Sequence, residues 1–359
     1  MNRLKEVTQA MDLDGASILV TGGTGSFGKR FVSRVLASCK PERLIVYSRD
    51  ELKQFQMRQQ FPVDRYPSLR LIIGDVRDRE RLFQVMDGVD VVVHAAALKQ
   101  VPTAEVNPLE AIKTNVLGAA HLIDAAIERK VSRVVALSTD KAANPVNLYG
   151  ATKLCADKLF VAANGTGLHR SRFSVVRYGN VIGSRGSVIP YLLAQRATGR
   201  IAITDDRMTR FLISLNACVE FVLRAAALMQ GGEIFVPKMP SARVADLARI
   251  AAPDCEREVI GIRPGEKLHE TLIPADESHL TIEFEDHYLI QPTHSFWNQK
   301  DFLNGRAGRP CPDGFRYSSD TNPWQLSERE IEALVAEVER DPNRELPPIP
   351  SEPHFIVGG

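Results

Sequence analysis

The sequence predicts an α/β protein: a doubly wound parallel sheet with a smaller C-terminal substrate-binding unit. Three observations carry this. Short apolar runs recur at Ser17–Val20, Arg43–Tyr47, Leu69–Ile73, Val89–His94, Val131–Leu137 and Arg172–Arg177. Between them lie stretches with helical spacing, such as Phe31, Val32, Val35 and Leu36 after the first run. The run around Val91–Val93 is continuously apolar, as a strand buried on both faces is. Strand and helix in alternation imply right-handed crossovers and helices on both faces of the sheet.

Composition bounds the rest. A chain of 359 residues is enough for roughly two domains. An apolar content of 44% with 25% charged residues is ordinary for a globular protein. A net charge of +1 argues against a general nucleic-acid or membrane-surface binder. The 5 cysteines are scattered and include no Cys-x-x-Cys, which fits reduced thiols and neither a disulfide framework nor a metal site. The first residues lack an apolar signal region, and no apolar run is long enough to span a bilayer. The expectation is a cytoplasmic protein.

The first strand runs into Thr21-Gly22-Gly23-Thr24-Gly25-Ser26-Phe27-Gly28 and then into a helix. Strand, glycine turn and helix make a Rossmann-like dinucleotide site: glycines let the backbone approach a pyrophosphate, and the helix start offers it free N–H groups. The spacing is Gly22-x-x-Gly25-x-x-Gly28 and not the usual G-x-G-x-x-G. The second strand ends in Ser48-Arg49-Asp50-Glu51-Leu52-Lys53. Arg49 and Lys53 suit a ribose 2′-phosphate, which favours NADP over NAD, although Asp50 stands where an NAD site carries its acid. The other reading is a solvated helix start, with Asp50 and Glu51 near its positive end.

The third strand ends in Gly74-Asp75-Val76, where Asp75 suits an adenine amino group or a helix cap. The fourth ends in Ala95-Ala96-Ala97-Leu98-Lys99, small enough to let a flat cofactor pass. Lys99 is either a ligand at the sheet's C-terminal edge or a surface lysine. His94 reads as a core or strand-end histidine. Asn107–Ile127 reads as one long helix carrying Thr114, Asn115 and His121.

The fifth strand delivers Ser138-Thr139-Asp140-Lys141, and a helix over Tyr149–Ala163 follows. Tyr149 and Lys153 lie one turn apart on one face, where the ammonium can lower the phenol's pKa. Such a phenol can take a proton from an alcohol, and Asp140 and Lys141 add an acid and a base.

Beyond Ser184 the alternation lapses. The boundaries read as 15–183 for the dinucleotide domain, 184–295 for a mainly substrate-binding unit with some return to the sheet, and 296–359 for an irregular extension with one helix. Basic loops at Ser184–Pro190, Ile201–Phe211 and Ile262–Glu270 together suit a diphosphate. Glu233–Pro237 reads as a short strand, Phe302–Trp324 as irregular, and Ser327-x-x-Glu330 as a capping box. Asp341–Gly359 is a proline-rich tail.

With TGGTGSFG, the HAAA strand end and Tyr149-x-x-x-Lys153, the chain resembles the extended short-chain dehydrogenase/reductases. Within them it resembles the inverting UDP-N-acetylglucosamine 4,6-dehydratases, of the type that opens pseudaminic acid biosynthesis. YSRDELKQ, HAAALKQVP, LSTDKAANPVNLYGATKL, RYGNVIGSRGSV, ITDDRMTRF and RPGEKLHE carry the likeness, over roughly residues 15 to 295. Gln100 stands where His is expected. The resemblance implies a tightly held NADP recycled each turnover, UDP-N-acetylglucosamine as substrate and a homo-oligomer, dimer or hexamer. The implied product is UDP-2-acetamido-2,6-dideoxy-beta-L-arabino-hexos-4-ulose. It also implies that Tyr149, Lys153, Asp140, Lys141 and Thr139 are catalytic, with Lys141 neutral and Asp140 protonated. Cofactor contacts would extend to Ser48, Glu51, Leu52, Val76, Thr114 and Val181. Lys99, Asn180, Arg185, Gly186, Ser187, Val188, Thr204, Met208, Arg263 and Glu266 would line the sugar-nucleotide site. Asp-Lys after the hydroxyl pair separates inverting dehydratases from retaining ones, which carry Asp-Glu, and from 4-epimerases, which need no such pair. The alternatives are a capsule or lipopolysaccharide dehydratase, a UDP-sugar 4-epimerase and a non-catalytic NADP-binding regulator.

Overall fold

The computed structural model describes residues 11–166, 169–184, 186–293 and 308–340. Arg185, the tail Asp341–Gly359 and part of the predicted irregular extension lie outside the described residues.

Strands β1 (Ser17–Thr21), β2 (Arg43–Ser48), β3 (Leu69–Ile73), β4 (Val91–His94), β5 (Arg133–Thr139) and β6 (Arg172–Tyr178) fall within two residues of the apolar runs. Between them lie α1 (Ser26–Ser38), α2 (Glu51–Gln60), α3 (Arg79–Val85), α4 (Val101–Val106), α5 (Pro108–Ile112), α6 (Gly118–Glu128) and α7 (Leu148–Ala162). The expected helix over 107–127 is interrupted: a π turn at Lys113–Leu117 joins α5 to α6. Its Asn115 side chain accepts from Leu98 N and donates to Leu98 O, pinning the loop after β4.

The second half supplies β7 (Asn180–Ile182), β8 (Arg200–Ile203), β9 (Thr209–Ser214), β10 (Ile234–Pro237), β11 (Ser241–Arg243), β12 (Glu256–Val259) and β13 (Thr271–Ile273). β14 (Thr281–Glu283), β15 (His287–Ile290), β16 (Arg309–Pro310) and β17 (Tyr317–Ser318) follow. Its helices include α8 (Val188–Gln195), α9 (Leu215–Leu228) and α10 (Val244–Ala251). The main sheet runs β16-β14-β15-β10-β6-β5-β4-β1-β2-β3, parallel from β10 to β3 and antiparallel at β15, β14 and β16. The winding therefore does not stop at β6: β10 joins parallel to β6 after α9. The stretch read as irregular around 302–324 contains the short strands β16 and β17. Strand order reverses between β1 and β4, where such sheets open a ligand crevice at their C-terminal edges.

Alternate residues of each strand feed two apolar layers. Leu19, Val92, Val134 and Phe173 pack with Leu122 and Phe160 on one face; Ile18, Val20, Val93 and Val135 pack with Phe31, Val35 and Val222 on the other. A third cluster joins α8, α10 and the terminal helix Glu328–Arg340 through Leu192, Leu247, Ala248, Leu334 and Val338. Ser327 and Glu330 cap that helix reciprocally. No helix among the described residues is long and apolar enough to cross a membrane.

Candidate active site

The glycine loop fits a dinucleotide. Gly22 has φ +65°, and a Cβ there would lie 2.8 Å from Ala96 N and 2.9 Å from Ala95 O. Only a bare backbone lets the turn after β1 lie against the Ala95–Ala96 turn after β4. Gly25 occupies the N-cap of α1 without a side-chain cap, so no side chain of the N-cap competes with a ligand at the helix start. Thr24 is buried in the same turn, and Thr114 in the π turn buries a hydroxyl with no hydrogen-bond partner. Gly22→Ala should therefore leave the sheet folded and cut dinucleotide retention, measured as nucleotide released on denaturation.

At the end of β2, Ser48 is held by Gln54 Nε2 at 3.0 Å. Asp50 caps α2 through Lys53 N at 2.9 Å and pairs with Lys53 Nζ at 2.9 Å. Its carboxylate is thus spent on the helix start that Glu51 and Leu52 continue. Arg49 reaches Asp75 at 3.5 Å, and Arg77 holds Asp75 more closely at 2.6 Å. Asp75 is not the cap of α3; Asp78 is, through Arg81 N. Val76 sits in the core beneath. His94 is a strand-end core group, bonded through Nδ1 to Thr21 Oγ1 at 2.8 Å.

The chemistry-bearing cluster grows from the end of β5. Thr139 caps a single 3-10 turn, Asp140–Ala142, and its hydroxyl donates to Asp140 Oδ1 at 2.9 Å. α7 presses onto this turn: a Cβ on Gly150 would lie 2.2 Å from Lys141 O. Asn147 caps α7 and donates to Gly265 O at 2.8 Å, while Lys267 donates to Ala143 O at 2.6 Å. The loop after β12 is thereby closed over Lys141. Lys141 Nζ lies 3.3 Å from Asp140 Oδ1 and 3.7 Å from Glu270 Oε1.

Burial raises the Asp140 carboxyl above its ordinary value, and Glu270 adds to this against the pull of Lys141. Burial pushes the Lys141 ammonium down, but Asp140 and Glu270 outweigh it and hold its pKa above the ordinary lysine value. Two carboxyls thus face Lys141 in a closed site, and they favour its charged form at rest over the neutral form that the resemblance implies. Burial pushes the Tyr149 phenol up to about 12, with Lys141 and a hydrogen bond from Thr139 pulling down. Lys153 follows Tyr149 one turn on along α7. Its Nζ donates to Leu137 O at 2.7 Å, and burial lowers its pKa against Asp157. Burial, then the charge of Lys141, lowers the pKa of Lys99.

The outer residues fall on neighbouring elements. Asn180 and Val181 stand on β7 beside β9; Gly186, Ser187 and Val188 lead into α8, with the Ser187 hydroxyl buried and without a hydrogen-bond partner. Thr204 Oγ1 meets Met208 Sδ at 3.2 Å, and Arg210 Nη2 meets the same sulfur at 2.9 Å. Arg263 and Glu266 lie 4.0 Å apart. Arg207, by contrast, turns outward onto Asp205 and does not join the centre. The sequence reading missed Glu270, although its motif RPGEKLHE ends on it, and Asp157, which accepts from Ser138 Oγ at 2.8 Å.

The profile of the family described as polysaccharide biosynthesis protein matches residues 18–292. A Campylobacter jejuni protein named UDP-N-acetylglucosamine 4,6-dehydratase (inverting) is 54% identical over 330 residues, covering 90% of this chain and 98% of that one. A Rickettsia canadensis protein named UDP-glucose 4-epimerase is 44% identical over 329 residues, covering 89% and 95%. The X-ray structure of Pen from Bacillus thuringiensis superposes with a TM-score of 0.83 at 36% identity, covering 92% of this chain and 99% of that one. The chain belongs to the polysaccharide biosynthesis protein family of Rossmann-fold, extended short-chain dehydrogenase/reductases.

Proposed function

We propose that the protein is a UDP-N-acetylglucosamine 4,6-dehydratase that inverts C5 and yields a 6-deoxy-4-keto sugar nucleotide. The observation that carries this is the buried Asp140–Lys141 pair, 3.3 Å apart, on the turn against which α7 places Tyr149. An epimerase has no use for such a pair. The Campylobacter jejuni relative named for this reaction supports the reading.

A dinucleotide held by the Gly22–Gly28 turn would supply the hydride acceptor for C4 and the hydride donor for C6. Tyr149 Oη, once ionised, takes the C4 hydroxyl proton, and Thr139 holds the C4 oxygen. Lys141 begins charged, so it first passes its proton to Asp140 Oδ1. One transfer makes both active forms: a neutral amine at Lys141 and a protonated carboxyl at Asp140. Lys141 Nζ then takes the C5 proton, made acidic by the 4-ketone, and Asp140 gives its proton to the departing C6 hydroxyl. Return of a proton to the opposite face of C5 inverts it. Asn180, Ser187, Thr204, Met208, Arg263, Glu266 and Lys99 surround the sugar nucleotide, and Arg185 belongs to the same proposal.

We assign the cofactor as NADP. The carboxylate that would hold a free ribose 2′-hydroxyl, Asp50, is taken by α2 and Lys53, leaving Arg49 half-exposed beside the cofactor edge. Arg49→Ala should weaken NADP about tenfold or more and leave NAD affinity nearly unchanged, by titration of the nucleotide-free protein. The domain division at 184 and the pseudaminic pathway belong to the same reading. A homo-oligomer is supported by exposed Val106, Leu109, Ile112 and Leu117 along the α4–α6 segment.

The test is incubation with UDP-N-acetylglucosamine in D₂O, followed by proton NMR. Deuterium at C5 with inverted configuration supports the proposal. Retained configuration overturns the role of Lys141. The C4 epimer alone moves the protein to the activity named for the Rickettsia relative.

A further inference from the structure

A buried carboxylate on the far side of Lys141 has no place in the scheme above. Glu270 is 2% exposed and stands just before β13. Its Oε1 lies 3.7 Å from Lys141 Nζ and 3.9 Å from Arg210 Nε, and its Oε2 lies 3.8 Å from Lys267 Nζ. Three cations from three separate elements thus meet one carboxylate, while Asp140 meets only Lys141 among them within ion-pair distance. The Glu270 backbone is clamped: its N–H donates to Ser319 Oγ at 2.9 Å, and its carbonyl accepts from Ser319 N at 2.8 Å. Ser319 Oγ also meets Thr209 Oγ1 at 2.6 Å. The Glu270 backbone is therefore held by the β17 end, and its side-chain Oε2 is buried with no hydrogen-bond partner.

We propose that Glu270 is a positioning residue of the elimination step: its fixed negative charge keeps one proton on the Asp140–Lys141 pair, so that the pair enters turnover with an acid and a base to divide between them. The inference rests on the dehydratase reading. A pair holding two protons has no base, and a pair holding none has no acid. The active form is the one-proton form, and the charges around it set its pH range. The groups that face it are Glu270, Arg210 and Lys267, Lys99 after β4, and the Tyr149 phenol on α7; His269 is turned onto Thr209. A neighbouring carboxylate opposes deprotonation of either group and so raises both limits of the range. Removing it lowers both; removing a neighbouring cation raises both.

The experiment uses the whole protein. In Glu270→Gln, both limbs of the kcat–pH profile should move down by about one unit or more, with kcat at neutral pH reduced roughly tenfold and KM little changed. Glu270→Asp should restore the limbs partly. In Lys267→Met, which leaves the buried carboxylate in place, both limbs should move up; this variant decides the matter if Glu270→Gln does not fold. Independently of turnover, the Lys141 side-chain resonance in ¹³C-lysine-labelled protein should titrate at lower pH in Glu270→Gln than in the wild type. Unshifted limbs with an unshifted Lys141 titration in folded variants overturn the proposal. Wild-type protein that releases no 4-keto sugar overturns the dehydratase reading instead, and the Lys141 titration still judges Glu270.

Discussion

Lys141→Met is expected to lower the release of 4-keto sugar by about 10³-fold, within the range that a positioned acid or base contributes. Methionine preserves most of the side-chain stem and removes only the ammonium. Asp140, Thr139 and Tyr149 remain in place, so the C4 hydroxyl still meets its proton acceptor. What disappears is the group that takes the C5 proton and that charges Asp140 with its own. Incorporation of deuterium at C5 from D₂O should vanish together with product. Wild-type C5 exchange in this variant, with normal melting, would show that another group takes the proton. Some stability is lost as well, since the carboxyls of Asp140 and Glu270 lose the cation between them. Protonation of Asp140, already raised by burial, limits that loss.

Arg177→Met should have the largest effect on stability. Arg177 is 1% exposed on β6 and ties four elements together. It donates to Leu272 O at 3.0 Å and to Glu277 at 2.8 Å, and lies 3.6 Å from Asp157 on α7. Removing it strands the buried Asp157 carboxyl with Lys153 and the Ser138 hydroxyl, and leaves Leu272 O without its donor. Breaking a buried charge network from one side costs about 3–5 kcal/mol. For a chain of this size the midpoint should fall by roughly 4–7 °C, read by circular dichroism or calorimetry. A fall of only a degree or two would mean that Asp157 is neutralised by its remaining neighbours.

The sheet was legible because its strands are apolar and its glycine turn is local. The π turn at Lys113–Leu117 was not. One extra residue in a helix barely disturbs an apolar period, and the reason for it, Asn115 gripping Leu98, lies on another element. The same divide separates the site residues. Thr139, Asp140, Lys141 and Tyr149 lie close together in sequence, so the local pattern and the family resemblance proposed them. Glu270, Arg210 and Lys267 meet them only after β9, β13 and β17 dock, and no local pattern reports docking. Lys153 shows the limit of helical periodicity: it put Lys153 on the face of Tyr149 but could not say that Leu137 O would take its ammonium.

The clamp on Glu270 has a consequence for how the chain becomes competent during synthesis. The glycine turn, the π turn and Tyr149 all precede residue 150, and the strands β3-β2-β1-β4-β5 can assemble from that length of chain. Glu270 takes its place only when Ser318 and Ser319 have emerged and paired with it. A nascent chain can thus build its nucleotide cradle long before it can balance the proton on Asp140 and Lys141. On the role proposed for Glu270, reactivity therefore waits on a segment that emerges well after the nucleotide cradle.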